Sequence, residues 1–124
     1  MYMSENRSLS VLEVLVHLSD TLPDKYVLGR AEIPEDVTVE ALETHDLPND
    51  WATLAPGEQD ATRRLGDNWI RRNKSAALSV PSVTSGERNF VLNPAHPEFS
   101  RIVFHDPIPF RFDPRLVRNR IGVI

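Results

Sequence analysis

The stretch from Ser8 to Ser19 constrains this chain more than any other. On a helical wheel at ~100° per residue, Leu9, Val11, Leu12, Val14, Leu15, Val16 and Leu18 cover most of the circumference. A helix that is apolar on nearly all sides belongs in a core. The remaining arc carries Ser10, Glu13 and His17, and the last two share a face because they are four residues apart. Burying an unpaired carboxylate is costly, so Glu13 must meet water, a polar partner or a ligand. From the residues alone, a functional role and a structural hydrogen bond stand as even alternatives for it.

The rest of the chain reads as strands and loops around one further helix. Pro23-Asp24 marks a turn. Tyr26 to Ile33 reads as a strand ended by Pro34-Glu35-Asp36. Val37 to Glu43 is ambiguous between strand and short helix. His45 to Pro56 is loop-like, with Trp51 as a core anchor. A second helix runs from Gly57 to Asn73, with an apolar stripe of Ala61, Leu65, Trp69 and Ile70. Strands follow at Ala76–Val80, Asn89–Leu92, Arg101–His105 and Ile108–Phe112, with a hairpin turn at Ser85-Gly86-Glu87. Pro107 and Pro109 put the last of these at an edge. Asp113-Pro114-Arg115 starts a short helix with Asp as its cap. This order of elements is an α+β domain with a mainly antiparallel sheet.

Composition narrows the function classes. The 124 residues make a single domain by length. A net charge of −4 argues against a generic nucleic-acid binder. With no cysteine, a disulfide scaffold, a Cys-based zinc site and a thiol nucleophile are all excluded. No apolar run reaches the ~18–20 residues of a membrane helix, and the start lacks the pattern of a signal peptide. A cytoplasmic location fits these features. His17, His45, His96 and His105 have no metal-ligand spacing. Neither a phosphate-binding glycine loop nor a Gly-x-Ser-x-Gly elbow occurs. Ser82, after Pro81 at a strand end, and Asn93, before Pro94, each read as turn or cap residues when taken alone.

Taken together, several segments resemble the RES domain. They are Tyr2-x-Ser4-Glu5 with Leu12-Glu13-Val14-Leu15-Val16-His17, Leu47-Pro48-x-Asp50-Trp51, and Leu65-Gly66-Asp67-x-Trp69. The series continues with Ser75-Ala76-x-Leu78-x-Val80-Pro81-Ser82 and Leu92-Asn93-Pro94-x-His96-Pro97. It ends with Pro109-Phe110-x-Phe112-Asp113-Pro114-Arg115-Leu116. The resemblance implies an ADP-ribosyltransferase-like fold and a bacterial toxin that degrades NAD, releasing nicotinamide to phosphate or water. NAD is then a substrate and no cofactor is implied. Glu13 and Ser82 are the implied catalytic residues, with Tyr2 and Asn93 in the NAD pocket. The implied partner is a helix-turn-helix antitoxin of the Xre type, through which DNA is reached only indirectly; a homo-oligomer is a further option.

The family pattern also has an N-terminal arginine segment with no counterpart in residues 1–124. Residues 1–124 are therefore expected to be one N-terminally truncated RES-type domain with weakened activity. Three readings follow: an NAD-degrading enzyme, an inactive remnant that still binds the antitoxin, or a poorly folding fragment.

Overall fold

The computed structural model describes residues 1–17, 25–49, 51 and 60–118. A central sheet of four strands has the order β1-β6-β5-β4. Its strands are β1 (Tyr2–Ser4), β4 (Val39–Ala41), β5 (Ala77–Pro81) and β6 (Arg88–Leu92). The β1–β6 and β5–β6 pairs are antiparallel and β4–β5 is parallel. Two ribbons accompany the sheet. In one, β2 (Tyr26–Leu28) pairs with β8 (Ile108–Phe110); in the other, β3 (Ala31–Glu32) pairs with β7 (Val103–Phe104). The helices are α1 (Arg7–His17), α2 (Asp60–Arg72) and α3 (Arg115–Arg118). The architecture is α+β with a mainly antiparallel sheet.

Strand alternation divides the central sheet into two faces. The register Met3↔Phe90 and Ala77↔Leu92 puts these residues on one face. There they join Val37, Ala76, Ile102 and Phe99 in the hydrophobic core. The register Ser4↔Asn89 and Tyr2↔Val91 puts polar groups on the other face, toward α1. A one-residue slip of β1 would exchange the two sets.

Local chemistry explains where several elements depart from the expected bounds. The strand expected from Tyr26 to Ile33 is two strands with different partners, broken at Gly29-Arg30, where the Arg30 carbonyl accepts from the His105 amide at 2.9 Å. The strand expected at Arg101–His105 is shortened to β7. Pro97 and a His96 cap, whose Nδ1 accepts from the Glu98 amide at 3.0 Å, wind residues Pro97–Arg101 into a 3-10 helix. The ambiguous Val37–Glu43 segment supplies β4, and a 3-10 turn follows at Thr44–Asp46. Trp51 is only half-buried; the core tryptophan is Trp69, 2% exposed, on α2. Within the expected α2 stripe, Ile70 is exposed.

Helix α1 also departs from its expected setting. Leu9 and Leu15 are buried, but Leu12 is 41% and Val16 56% exposed. It lies on one sheet face, so only one side of it is covered by described residues. The hairpin at residues 82–87 forms as expected, closed by Ser82 N–H to Glu87 C=O at 2.7 Å, with Gly86 at φ 78°. At the start of α3, Asp113 accepts from the Arg115 amide at 2.9 Å. Hydrogen bonds from the Arg115 side chain hold the Asp113 carboxyl down at about 2. The expected helix end at Leu18-Ser19, the Pro23-Asp24 turn, the start of the second helix at Gly57 and the tail beyond Arg118 lie outside the described residues.

Leu92 is 1% exposed where β6 meets the core. Leu92→Ala is expected to lower unfolding free energy by about 2–5 kcal/mol, read from urea denaturation. A loss below about 1 kcal/mol would show that this side chain does not anchor the core.

Candidate active site

Helix α1 is aimed by its cap. Asn6 Oδ1 accepts from the Leu9 amide at 2.8 Å, and Asn6 Nδ2 donates to Glu87 Oε2 at 2.6 Å. The cap satisfies an amide that the first turn leaves open, and it also ties the helix start to the hairpin. Glu13 follows about two turns later, half-buried over the polar face of the sheet.

Two donors converge on one oxygen of Glu13. Ser82 Oγ donates to Oε1 at 2.6 Å and Asn89 Nδ2 donates to the same atom at 2.9 Å. Among the described residues, nothing donates to Oε2. Ser82 is 2% exposed at the neck of the hairpin, and its Oγ also accepts from the Thr84 amide at 3.1 Å. Asn89 is fully buried. Besides Glu13, its Nδ2 reaches the Tyr2 phenolic oxygen at 2.8 Å, and its Oδ1 accepts from Ser4 Oγ at 2.7 Å. Tyr2 is 58% exposed, so its ring faces outward while its oxygen is held by Asn89. Burial of the hydroxyl, then the Glu13 charge, push the Tyr2 pKa up from its ordinary value, against the Asn89 hydrogen bond.

The structure thus brings Tyr2, Glu13 and Ser82 together and does not bring Asn93 to them. Asn93 sits at the other end of β6. Its Nδ2 donates to Asn73 Oδ1 at 2.8 Å and its Oδ1 accepts from the Ala95 amide at 3.0 Å. Asn73 ends α2 in the left-handed region at φ 51°, a conformation Asn tolerates better than most residues. Asn93 therefore latches the end of α2 to the sheet. Sequence reasoning passed over Asn89 as an ordinary strand residue. The available signal was an asparagine inside an apolar strand, where that residue is depleted.

Chemically, the cluster offers a pinned carboxylate, a buried hydroxyl and an exposed aromatic face. No group of metal-ligating side chains gathers among the described residues. No described helix is long and apolar enough to cross a membrane.

The architecture, a mainly antiparallel sheet flanked by helices, is consistent with the ADP-ribosyltransferase-like class. The model of the RES domain matches residues 1–113, and the chain belongs to the RES domain family. It is 35% identical over 119 residues to a Yersinia enterocolitica protein named Toxin Res, covering 93% of this chain and 76% of that one. It is 33% identical over 122 residues to the Prs ADP-ribosylating toxin of a Sphingobium strain, covering 95% and 74%. A Toxin Res of Photorhabdus laumondii is 35% identical over 122 residues, covering 96% and 76%.

Two measurements separate the cluster from the latch. In an NMR pH titration, Tyr2 is expected to ionise above 10.0. Glu13→Gln removes the negative charge that opposes the phenolate, so the Tyr2 midpoint should fall; an unmoved midpoint would deny the coupling. Asn93→Ala should cost about 1–3 kcal/mol of stability in urea unfolding and leave the Tyr2 midpoint where it was.

Proposed function

We propose that this chain is an NAD-degrading toxin domain that releases nicotinamide and passes ADP-ribose to phosphate or water. The observation that carries the reading is Glu13, with Oε1 fixed by Ser82 and Asn89 and Oε2 taken by no described donor. The toxin names of the relatives, one of them ADP-ribosylating, support it.

NAD carries its nicotinamide as a pyridinium bonded to ribose C1′. When that bond breaks, its electron pair moves to the ring nitrogen and neutral nicotinamide departs. Positive charge develops over C1′ and the ribose ring oxygen. A carboxylate held rigidly beside that charge stabilises it without reorganising at the moment of reaction, as carboxylates do in glycoside cleavage. In this reading Glu13 Oε2 faces the ribose and accepts from its hydroxyls. Ser82 keeps the carboxylate oriented and adds a hydroxyl near the ribose. The exposed Tyr2 ring packs on the pyridinium face, where its quadrupole favours a cation. The acceptor oxygen of phosphate or water then forms the new bond at C1′; when the acceptor is water, the proton it loses passes to the solvent. The protein needs no cofactor for these steps and works on the NAD of the cytoplasm.

An enzyme that consumes NAD must be restrained in the cell that makes it. The proposed partner is an antitoxin with a helix-turn-helix domain, which links the toxin to DNA indirectly. Leu12 and Val16 give it a contact surface, since both are exposed on α1 beside Glu13.

The test is a proton NMR time course of the purified chain with NAD and phosphate. Wild type is expected to release nicotinamide, and Glu13→Gln should be slower by about 10²-fold or more, with an unchanged melting curve. Equal rates in the two proteins would remove Glu13 from the chemistry.

A further inference from the structure

A concave surface elsewhere in the fold shares no residue with the Glu13 cluster. It is a cleft of about 750 Å³ between the edge strand β4 and helix α2. One wall is the consecutive strand segment Glu40, Ala41 and Leu42; the other is Leu65, Asn68, Trp69 and Arg72. The helix positions are i, i+3, i+4 and i+7, so one continuous helical face borders the strand. Leu65, Trp69 and Leu78 make the apolar part of the lining.

The backbone of β4 is open toward this cleft. Strand order places β4 outermost in the sheet. The Leu42 amide donates to the Ser79 carbonyl at 2.8 Å, in the parallel register Ala41↔Ser79. Alternate residues of a parallel strand direct their backbone groups to the same neighbour. Glu40 and Leu42 therefore face β5, and Val39 and Ala41 turn N–H and C=O outward. The next outward amide, at Glu43, is already taken by Asp46 Oδ2 at 2.8 Å. Among the described residues nothing pairs with the open edge.

The charges along the cleft are unevenly satisfied. Glu40 Oε2 accepts from Ser75 Oγ at 2.5 Å and its Oε1 lies 3.8 Å from Arg72. Asp46 is held by the Glu43 amide and lies 3.5 Å from His45. Arg71 donates to the neutral Asn68 Oδ1 at 2.5 Å. No carboxylate among the described residues pairs with it.

We propose that the β4–α2 cleft binds an extended peptide segment of a partner protein, which adds to β4 as a fifth strand. Main-chain bonds at Val39 and Ala41 would hold the peptide, as in other strand additions. An apolar side chain of the peptide lies on the half-buried Leu65, and an acidic one pairs with the exposed Arg71. This site is independent of the NAD reading.

The test uses the full chain and an array of synthetic peptides that alternate β-branched and polar residues, with Glu, Gln or Lys placed at each position in turn. Binding is read by amide NMR and fluorescence polarisation. The expected result is selection of Glu-bearing peptides by about tenfold over Lys, with slowed exchange of the Ala41 amide in the complex. Ala41→Pro removes the outward N–H at an edge position that tolerates proline, and should weaken binding by about tenfold or more. Arg71→Glu should reverse the Glu-over-Lys preference. Both variants should keep the wild-type Tyr2 titration, which confirms that they fold. The proposal is overturned if no peptide saturates, or if binding survives both substitutions. It is also overturned if the Ala41 amide is protected without peptide in a protein that sediments as a dimer, since a second copy would then fill the edge.

Discussion

A carboxylate on the sheet side of an apolar helix has to be met by hydrogen-bond donors, and here β6 and the end of β5 supply them. Asn89, in the otherwise apolar part of β6, donates to Glu13 and to Tyr2 and accepts from Ser4. Its amide has two N–H donors and one carbonyl, and the three partners account for its full burial. Much else follows from keeping this arrangement. The Asn6 cap fixes where α1 begins, and the hairpin neck fixes where the Ser82 hydroxyl points. The β1–β6 register sets Ser4 opposite Asn89. Removing one donor would leave a half-buried charge underserved, so the cluster stands or falls largely as a unit.

The sheet acts as a partition. On one face, Met3, Phe90, Ala77 and Leu92 pack into the hydrophobic core with Ile102 and Phe99. On the other, the same strands present Tyr2, Ser4 and Asn89 at the β1 side and Glu40 at the β4 side. The two-residue period of a strand keeps the Asn89 cluster off the core face, where the polar exception is Ser79, which accepts from Arg88 at 2.8 Å. The two polar regions have different owners among the helices: α1 serves the first and α2 the second.

The sequence made the order of elements legible, along with the hairpin at Gly86 and the Asp113 cap; of the four residues it singled out, Tyr2, Glu13 and Ser82 gather in one hydrogen-bonded cluster and Asn93 lies apart. Glu13 was visible because it interrupts an apolar helix, which is a local signal. Asn89 was missed because its role depends on which residues lie across β1 and above the sheet. Asn93 was singled out instead, yet four residues further along the chain it lies at the end of α2, hydrogen-bonded to Asn73. The broken strand at Gly29-Arg30 was hidden for a similar reason. Its two halves are individually good strand sequence, and only their separate partners, β8 and β7, divide them. The full burial expected for α1 failed because amphipathicity counts apolar residues and not the surfaces available to cover them.

The hydrogen bonds of the cluster also set a schedule. Ser4 and Asn89 are 85 residues apart, Tyr2 and Asn89 87, and Glu13 and Ser82 69. During synthesis at ~5–20 residues per second, β1 and α1 leave the ribosome many seconds before the strand that completes them. For that interval the nascent chain carries a hydrophobic helix and an unmatched carboxylate, but no assembled centre. The cluster therefore assembles only once the segment that carries Ser82 and Asn89 has been made.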